Sequence, residues 1–438
     1  MNQAQSVIKA KIFLSRFNKK SYPDKNIVFY FATYVSSIGL YIFNKIVKKK
    51  SNFFKNFNMI FKDVLYTYNY TDNELFFSNR IIKDYDRIFL TWASAASFKK
   101  DGSFHDKYLN INTSKFSKTL IIAIYKDKKL PKKIDTNIII FQTKSKKIGI
   151  LNIVKNILIN LNLFFSNYDY FLAKISSHNF FSKELMNKTK FFLNKKIKSF
   201  LTPYEGQPFQ NEFIKHLKRL NKDIKCVGYI HSPPIPIPSN FIFRNCSPDK
   251  VVLNGRDQVY CFNKYLGWPK SKIKLLPSFR FFKIKKFNKK IIFLPYHINN
   301  LTKIIHSIDY LIKKKFIDPK KYTIKSHPAI KSRNSDKIIN YFNNIKINNK
   351  ISKKIKNKFL IFIGNSGGII EYLERGYEVI HICDDNFYDF YSNELWPSII
   401  STKVYDGIYI YRVKKKGNLI NFGDAKKHNI KKILNIAC

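Results

Sequence analysis

Residues 359–382 read FLIFIGNSGGIIEYLERGYEVIHI. An apolar run stops at Gly364, small residues follow, a segment of helical period carries the chain to Gly376, and a second apolar run closes the unit. Strand, tight turn, helix and strand in that order build a parallel βαβ unit. The first N–H groups of such a helix lack intrahelical partners and its positive dipole end suits a phosphate. Ser366 adds a hydroxyl there, while Gly367 and Gly368 allow close backbone approach. Glu371 falls about one and a half turns in by the ~3.6-residue period, placed to accept from ribose hydroxyls. The plainer reading is that the glycines only permit the turn and that Glu371 is a surface carboxylate.

The same pattern extends in both directions. RIFLTWAS, TLIIAIYKD, NIIIFQT, KSFLTPYEGQ, KCVGYIHS and DKVVLNG are short apolar runs ending in polar loops, which suits buried parallel strands. KIIFLPYH, KYTIKSHP, FLIFIGNS and EVIHICDD repeat it after the lysine-rich KIKKFNKK, which reads as a solvated linker. Helix-length segments lie between, among them NEFIKHLKRLN and the amphipathic IGILNIVKNILINLNLFF. The expected fold class is α/β, with two Rossmann-like parallel-sheet domains facing a cleft. The first spans residues 1–282, with 1–75 an extension of no clear period, and the second spans 289–438. At 438 residues the chain has room for two domains, each of about 200 residues.

Open α/β sheets bind ligands just past the carboxyl ends of their strands. His327 stands at such an end in KYTIKSHPAIK, with Pro328 stiffening the loop and Lys325 and Lys331 adding positive charge. Its imidazole is suited to donate to a phosphate oxygen. Glu205 follows the strand of LTPYEGQ, where a partly buried carboxylate raised in pKa can take a proton from a hydroxyl. Its plainer role is to stabilise the next helix through the dipole. His231, after the strand of GYIHSPP, is an alternative base, a group binding a second substrate, or a polar cap. The pairs Asp84/Asp86 and Asp384/Asp385 have no supporting histidine or third carboxylate nearby in sequence, so no metal is expected.

The formal charge of +51 attracts polyanions, whether nucleic acid, anionic lipid or nucleotide. AT-rich codons, seen also in the abundance of Asn, Ile, Phe and Tyr, account for much of the lysine. Zinc-finger spacing, a basic zipper and an aromatic RNA-binding motif are all missing, so specific nucleic-acid binding is not expected. The five cysteines show no CxxC pair and suit a reducing cytosol. The opening residues have no secretory signal pattern. Ile27 to Phe43 is apolar but falls short of the ~20 residues of a membrane span, and it reads as buried strand and helix.

The segment from Ser366 to Ile380, with Ser366, Glu371 and Gly376 at the matching places, resembles the nucleotide-binding stretch of GT-B glycosyltransferases. Glu378 stands where many of them carry proline. Glu205-Gly206 followed by His327-Pro328 is similar to the paired motifs of bacterial sialyltransferases and Kdo transferases of that fold, with Tyr204 replacing a first acid. TWASAASFKKDGSFHDKYLN, YEGQPFQNEF and GWPKSKIKLLPSFRF resemble a family of bacterial surface-carbohydrate biosynthesis proteins.

The resemblance implies an inverting, metal-independent glycosyltransferase acting in capsule, O-antigen or lipooligosaccharide assembly. Glu205 would be the base, and His327, Pro328, Lys325, Ser366, Gly367, Gly368 and Glu371 would hold the donor. The nucleotide-sugar is then a substrate and no cofactor is expected. The other substrate would be a saccharide or lipid-linked saccharide. Attachment would be cytoplasmic, peripheral on the anionic inner face of the cell membrane. A CDP-polyol phosphotransferase of the same fold and a non-catalytic membrane-associated assembly partner are the rival readings.

Overall fold

The computed structural model describes residues 3–15, 58, 74–78, 80–81, 84–112, 118–143, 150–175, 177–282, 290–295, 298–327, 333–348, 359–385, 389–424 and 431–437. Ile27 to Phe43, the linker from Lys283 to Lys289, Pro328 and Lys331 lie outside them.

Eight described strands form the first sheet. In spatial order they are β1 (Glu74–Phe77), β6 (Ile138–Gln142), β5 (Thr119–Tyr125), β2 (Arg87–Ala93), β7 (Ser199–Pro203), β8 (Lys225–Tyr229), β9 (Lys250–Leu253) and β10 (Ile273–Leu275). All are parallel except the edge strand β1. Every residue of β5 is buried, as expected for a strand covered on both faces. The chain winds outward from β2 through β5 to β6, returns, and winds the other way from β7 to β10. The order therefore reverses between β2 and β7, and a crevice opens at the carboxyl ends there.

The crossover from β6 to β7 holds α2 (Ile150–Ile159), α3 (Leu161–Ser166), α4 (Tyr168–Lys174) and α5 (Ser177–Thr189), while α1 (Gln3–Ser15) opens the chain. The amphipathic segment expected around residue 150 is thus helical, with a break at Asn160. A small antiparallel pair, β3 (His105–Asp106) and β4 (Ile111–Asn112), follows β2.

The second sheet has six described strands, ordered β12 (Tyr322–Lys325), β11 (Lys290–Phe293), β13 (Phe359–Ile363), β14 (Glu378–Ile382), β16 (Ile408–Val413) and β15 (Ile399–Tyr405). The first four are parallel; β15 and β16 form an antiparallel hairpin on the edge. The helices α8 (Leu301–Lys313), α9 (Arg333–Asn348) and α10 (Gly368–Glu374) join its parallel strands. Two Rossmann-like α/β sheets are therefore present.

The two sheets share one hydrophobic cluster that joins Tyr204, Phe241 and Phe262 to Leu360, Phe362, Leu373, Trp396 and Tyr411. Polar ties reinforce it. Asp257, in α7 (Arg256–Lys264), accepts from Ser398 N–H at 2.7 Å and from its hydroxyl at 2.9 Å. Glu374 accepts from the N–H groups of Leu419 and Ile420 at 3.0 and 3.2 Å. After β16 the chain returns to the first sheet. Gly423 passes so close to the Ser278 carbonyl that a Cβ would sit 2.0 Å away. The final described helix, α11 (Lys431–Ala437), places Ile433 among Leu201, Val227 and Tyr229 under the first sheet. That helix follows the second sheet in sequence and sits with the first in space.

Candidate active site

Glu205 lies where the first sheet reverses. The Tyr204 N–H continues the ladder to Tyr229 O at 2.8 Å, and the chain then turns sharply into α6 (Pro208–Leu220). Gly206 makes that turn with φ of +67°, and a Cβ there would stand 2.2 Å from the Asn240 carbonyl. Only glycine fits both the left-handed backbone and the close approach. Gln210, fully buried, clamps the turn from inside. Its Oε1 accepts from the N–H of Glu205 at 3.0 Å and of Gln207 at 3.2 Å. Its Nε2 donates to Thr202 Oγ1 at 3.1 Å and to Pro203 O at 2.8 Å. The Asn240 amide donates to the Glu205 carbonyl.

The Glu205 carboxylate is partly exposed and therefore reachable. Oε1 lies 3.4 Å from His231 Nε2, and Oε2 accepts from Gln207 Nε2 at 3.4 Å. Loss of water around it raises its pKa above the ordinary glutamate value; the Gln207 hydrogen bond and the charges of Lys126, Arg280 and Lys107 pull the other way. His231, just past β8, is buried, with its side chain 4% exposed against 36% for that of Glu205. Burial first, then the charges of Arg280 and Lys107, hold its imidazole well below the usual value, so it is neutral at pH 7. Its Nδ1 is buried with no hydrogen-bond partner among the described residues.

Aromatic rings wall this pair. Tyr108 meets His231 edge-on at 4.4 Å, Trp92 lies 5.7 Å from Tyr108 and 6.4 Å from His231, and Phe209 backs Trp92 at 5.9 Å. Tyr108 is held by the buried Asp106, whose Oδ1 accepts from the N–H of Tyr108 at 3.0 Å and of Leu109 at 2.6 Å. Thr91 donates to Asp106 Oδ2 at 2.7 Å. Burial outweighs these three bonds and pushes the Asp106 carboxyl up to about 6.

Trp92, Lys107, Tyr108, Gln210 and Arg280 had not been singled out in the sequence. The signal that marked Glu205 and His231, a polar residue just past a buried strand, also marks Lys126 directly after β5, but it does not reach Lys107, which sits in the β3–β4 hairpin, or Arg280, which follows the largely exposed β10.

The second sheet's candidates are arranged differently. His327 and Lys325 are exposed at the end of the edge strand β12, and β11 lies between β12 and β13 in the sheet. Two strand spacings, roughly 9–10 Å, therefore separate the strand end that carries His327 from the one that carries Ser366. Both ends are carboxyl ends. Desolvation lowers the His327 imidazole pKa. Lys325 Nζ stands 6.0 Å from the Phe293 ring centre.

At the glycine turn, Ser366 itself receives the first helical donors: Gly368 N–H reaches its Oγ at 3.2 Å and Ile369 N–H its carbonyl at 3.2 Å. Gly367 packs so closely that a Cβ would lie 3.2 Å from Pro233 O in the proline-rich loop after His231. Tyr391 OH bridges Pro234 O at 3.5 Å and Ser366 O at 3.4 Å. The glycines thus seat one sheet's helix start on the other sheet's loop. Glu371 Oε1 accepts from Arg375 Nε at 3.0 Å and Nη2 at 2.8 Å, and Arg375 Nη1 donates to Phe282 O at 3.2 Å.

Asp384 accepts from the N–H of Asn299 at 2.6 Å and Asn300 at 2.7 Å, a loop-pinning role. Among the described residues no cluster of His, Cys, Asp and Glu is arranged to hold a metal ion.

No family model and no curated protein matches the chain. Among solved structures it is similar to the "Glycosyltransferase from Rickettsia africae ESF-5", at 13% identity and a TM-score of 0.34, over 70% of this chain and 86% of that one. A likeness at that level says nothing of this chain's chemistry, which rests on its own residues.

Proposed function

We propose that the chain is an inverting glycosyltransferase in which Glu205 is the general base. The observation that carries this reading is the partly exposed Glu205 carboxylate at the reversal of a doubly wound sheet, on a turn whose backbone Gln210 clamps, and raised in pKa by desolvation. A carboxyl moved toward neutrality is a better proton acceptor than a free one. In the step, the hydroxyl of a saccharide or lipid-linked saccharide gives its proton to Glu205 while its oxygen bonds to the anomeric carbon of a nucleotide-sugar. The bond from that carbon to the nucleotide phosphate breaks, and the nucleotide leaves with the electron pair.

His231 is too buried to meet the substrate, so its role is to orient Glu205 through Nε2, a positioning role within a dry wall of rings. On the donor side, Lys325, His327 and the Ser366 hydroxyl are the groups assigned to the leaving phosphate, the N–H groups of Gly368 and Ile369 being taken by Ser366 itself, and the reaction proceeds without a metal. Glu371 keeps its donor role only through the oxygen that Arg375 leaves open.

The product belongs to a bacterial surface polysaccharide or lipooligosaccharide, and the enzyme works on the anionic inner face of the membrane. Two features support the membrane part: the charge of +51, and an exposed apolar ridge of Val154, Leu158, Leu161 and Phe165 along α2 and α3, beside exposed Lys155. Among the described residues no helix is long and apolar enough to cross a membrane.

The test is nucleotide release from a panel of nucleotide-sugars by purified protein in EDTA. Glu205→Gln is expected to slow turnover by ~10²–10⁴-fold with the fold intact. Unchanged turnover in that variant sinks the general-base reading.

A further inference from the structure

We propose that Lys107 and Arg280 form a subsite for a phosphoryl group directly beside Glu205, carried either by the saccharide substrate or by the donor's nucleotide. The inference rests on the reading of Glu205 as the catalytic base and names part of what that base works on.

Both cations stand on pinned backbone. The hairpin carrying Lys107 is fixed by the buried Asp106, as described above. The turn carrying Arg280 is fixed by Ser278, whose hydroxyl accepts from the N–H of Arg280 at 3.2 Å and of Phe281 at 2.9 Å. Phe279 N–H donates to Tyr229 OH at 2.9 Å and ties the same turn to β8. The cations converge on one ring: Lys107 Nζ is 5.1 Å and Arg280 Cζ 5.9 Å from the centre of Tyr108, which itself touches His231.

Neither cation has a carboxylate within ion-pair distance among the described residues. Their mutual repulsion lowers the Lys107 pKa after desolvation has done so. Two like charges held together on rigid supports suit a dianion better than solvent. Arg280 supplies the flat fork and Lys107 the point charge that phosphate recognition uses. Lys126, after β5, adds a third charge felt by Glu205. A bound phosphoryl group would cancel the field that now opposes proton uptake by Glu205 and His231.

The probe is inorganic phosphate, titrated at constant ionic strength with chloride, and the reporter is the His231 imidazole NMR signal, assigned through His231→Gln. In the wild type, phosphate is expected to shift that signal along a saturating curve and to raise its titration midpoint. In the Lys107→Gln, Arg280→Gln double variant, affinity falls by about tenfold or more. Both residues are exposed, so the variant keeps its melting temperature. An equal response in the double variant, or no His231 response in the wild type, overturns the proposal.

A nucleoside diphosphate that displaces phosphate from this reporter identifies the donor as its source; additive binding identifies the saccharide substrate. Glu205→Gln should bind phosphate more tightly, since a neighbouring negative charge is removed. Phosphate binding needs no turnover, so the two readings fail separately. Lost binding with intact Glu205 dependence sinks the subsite, and intact binding with a fully active Glu205→Gln sinks the base.

Discussion

Asp106 offers a prediction whose sign runs against intuition. It is fully buried, accepts three hydrogen bonds, and still has a carboxyl raised from 3.8 to about 6. Desolvation therefore outweighs the bonds, and the charged form is disfavoured in the folded protein by roughly 3 kcal/mol above pH 6. Between 3.8 and about 6 the folded state binds more protons than the unfolded one. Stability is thus lowest above pH 6 and recovers as pH falls through that window, by roughly 1.4 kcal/mol per unit.

Asp106→Asn keeps the oxygen that receives the N–H groups of Tyr108 and Leu109 and turns the other atom into a donor for Thr91. Urea unfolding at pH 8 should show the variant more stable by roughly 1–3 kcal/mol, with the gain shrinking to nothing near pH 4. A variant less stable at pH 8, or a gain independent of pH, would refute the reasoning. The stability given up here holds the loop that presents Lys107 and Tyr108 to the site, the kind of strain that functional sites retain.

Further expectations concern the turn, the clamp and the surface. Gly206→Ala faces both a left-handed backbone and a carbonyl 2.2 Å from its new methyl, so it should lose several kcal/mol of stability, ~1–2 of them from backbone strain alone, together with turnover; a wild-type melting temperature would contradict the geometry. Gln210→Leu abandons the N–H of Glu205 and its neighbours, costing roughly 3 kcal/mol in denaturant unfolding. If this clamp positions the base, kcat of the folded Gln210→Leu variant falls while KM stays level. Leu158→Ser with Phe165→Ser should weaken binding to phosphatidylserine-containing vesicles by about tenfold or more without touching activity on a soluble substrate; unchanged vesicle binding removes the ridge from the membrane contact.

The central parallel strands were readable because they are apolar runs buried on both faces and stopped by a polar loop, as β2, β5, β7 and β8 are, whereas β10, β11 and β12 are only partly buried. Glu205 and His231 were reachable by the rule that chemistry gathers past strand ends, and the structure brings them together. What lies further apart in sequence was not readable. The Tyr108 loop and the Arg280 turn lie about 170 residues apart in sequence, and only topology places both beside β8.

The hairpin of β15 and β16 was legible in principle through Asp406-Gly407, with Gly407 at a φ of 72°, but its alternating burial gives a weaker signal than a continuous apolar run. The sequence of the proline-rich loop after His231 does not show that its carbonyls are what the Gly367 turn and Tyr391 rest upon. The distance between the ends of β12 and β13 was equally hidden, because the strand that separates them, β11, precedes both in sequence.

The most direct test of Glu205 as the base is the pH dependence of kcat/KM between pH 4 and 9. Desolvation places the acidic limb above the ordinary glutamate value of 4.5. The account predicts such a limb in the wild type and its disappearance, with a much lower plateau, in Glu205→Gln. The same limb at the same height in Glu205→Gln would contradict it.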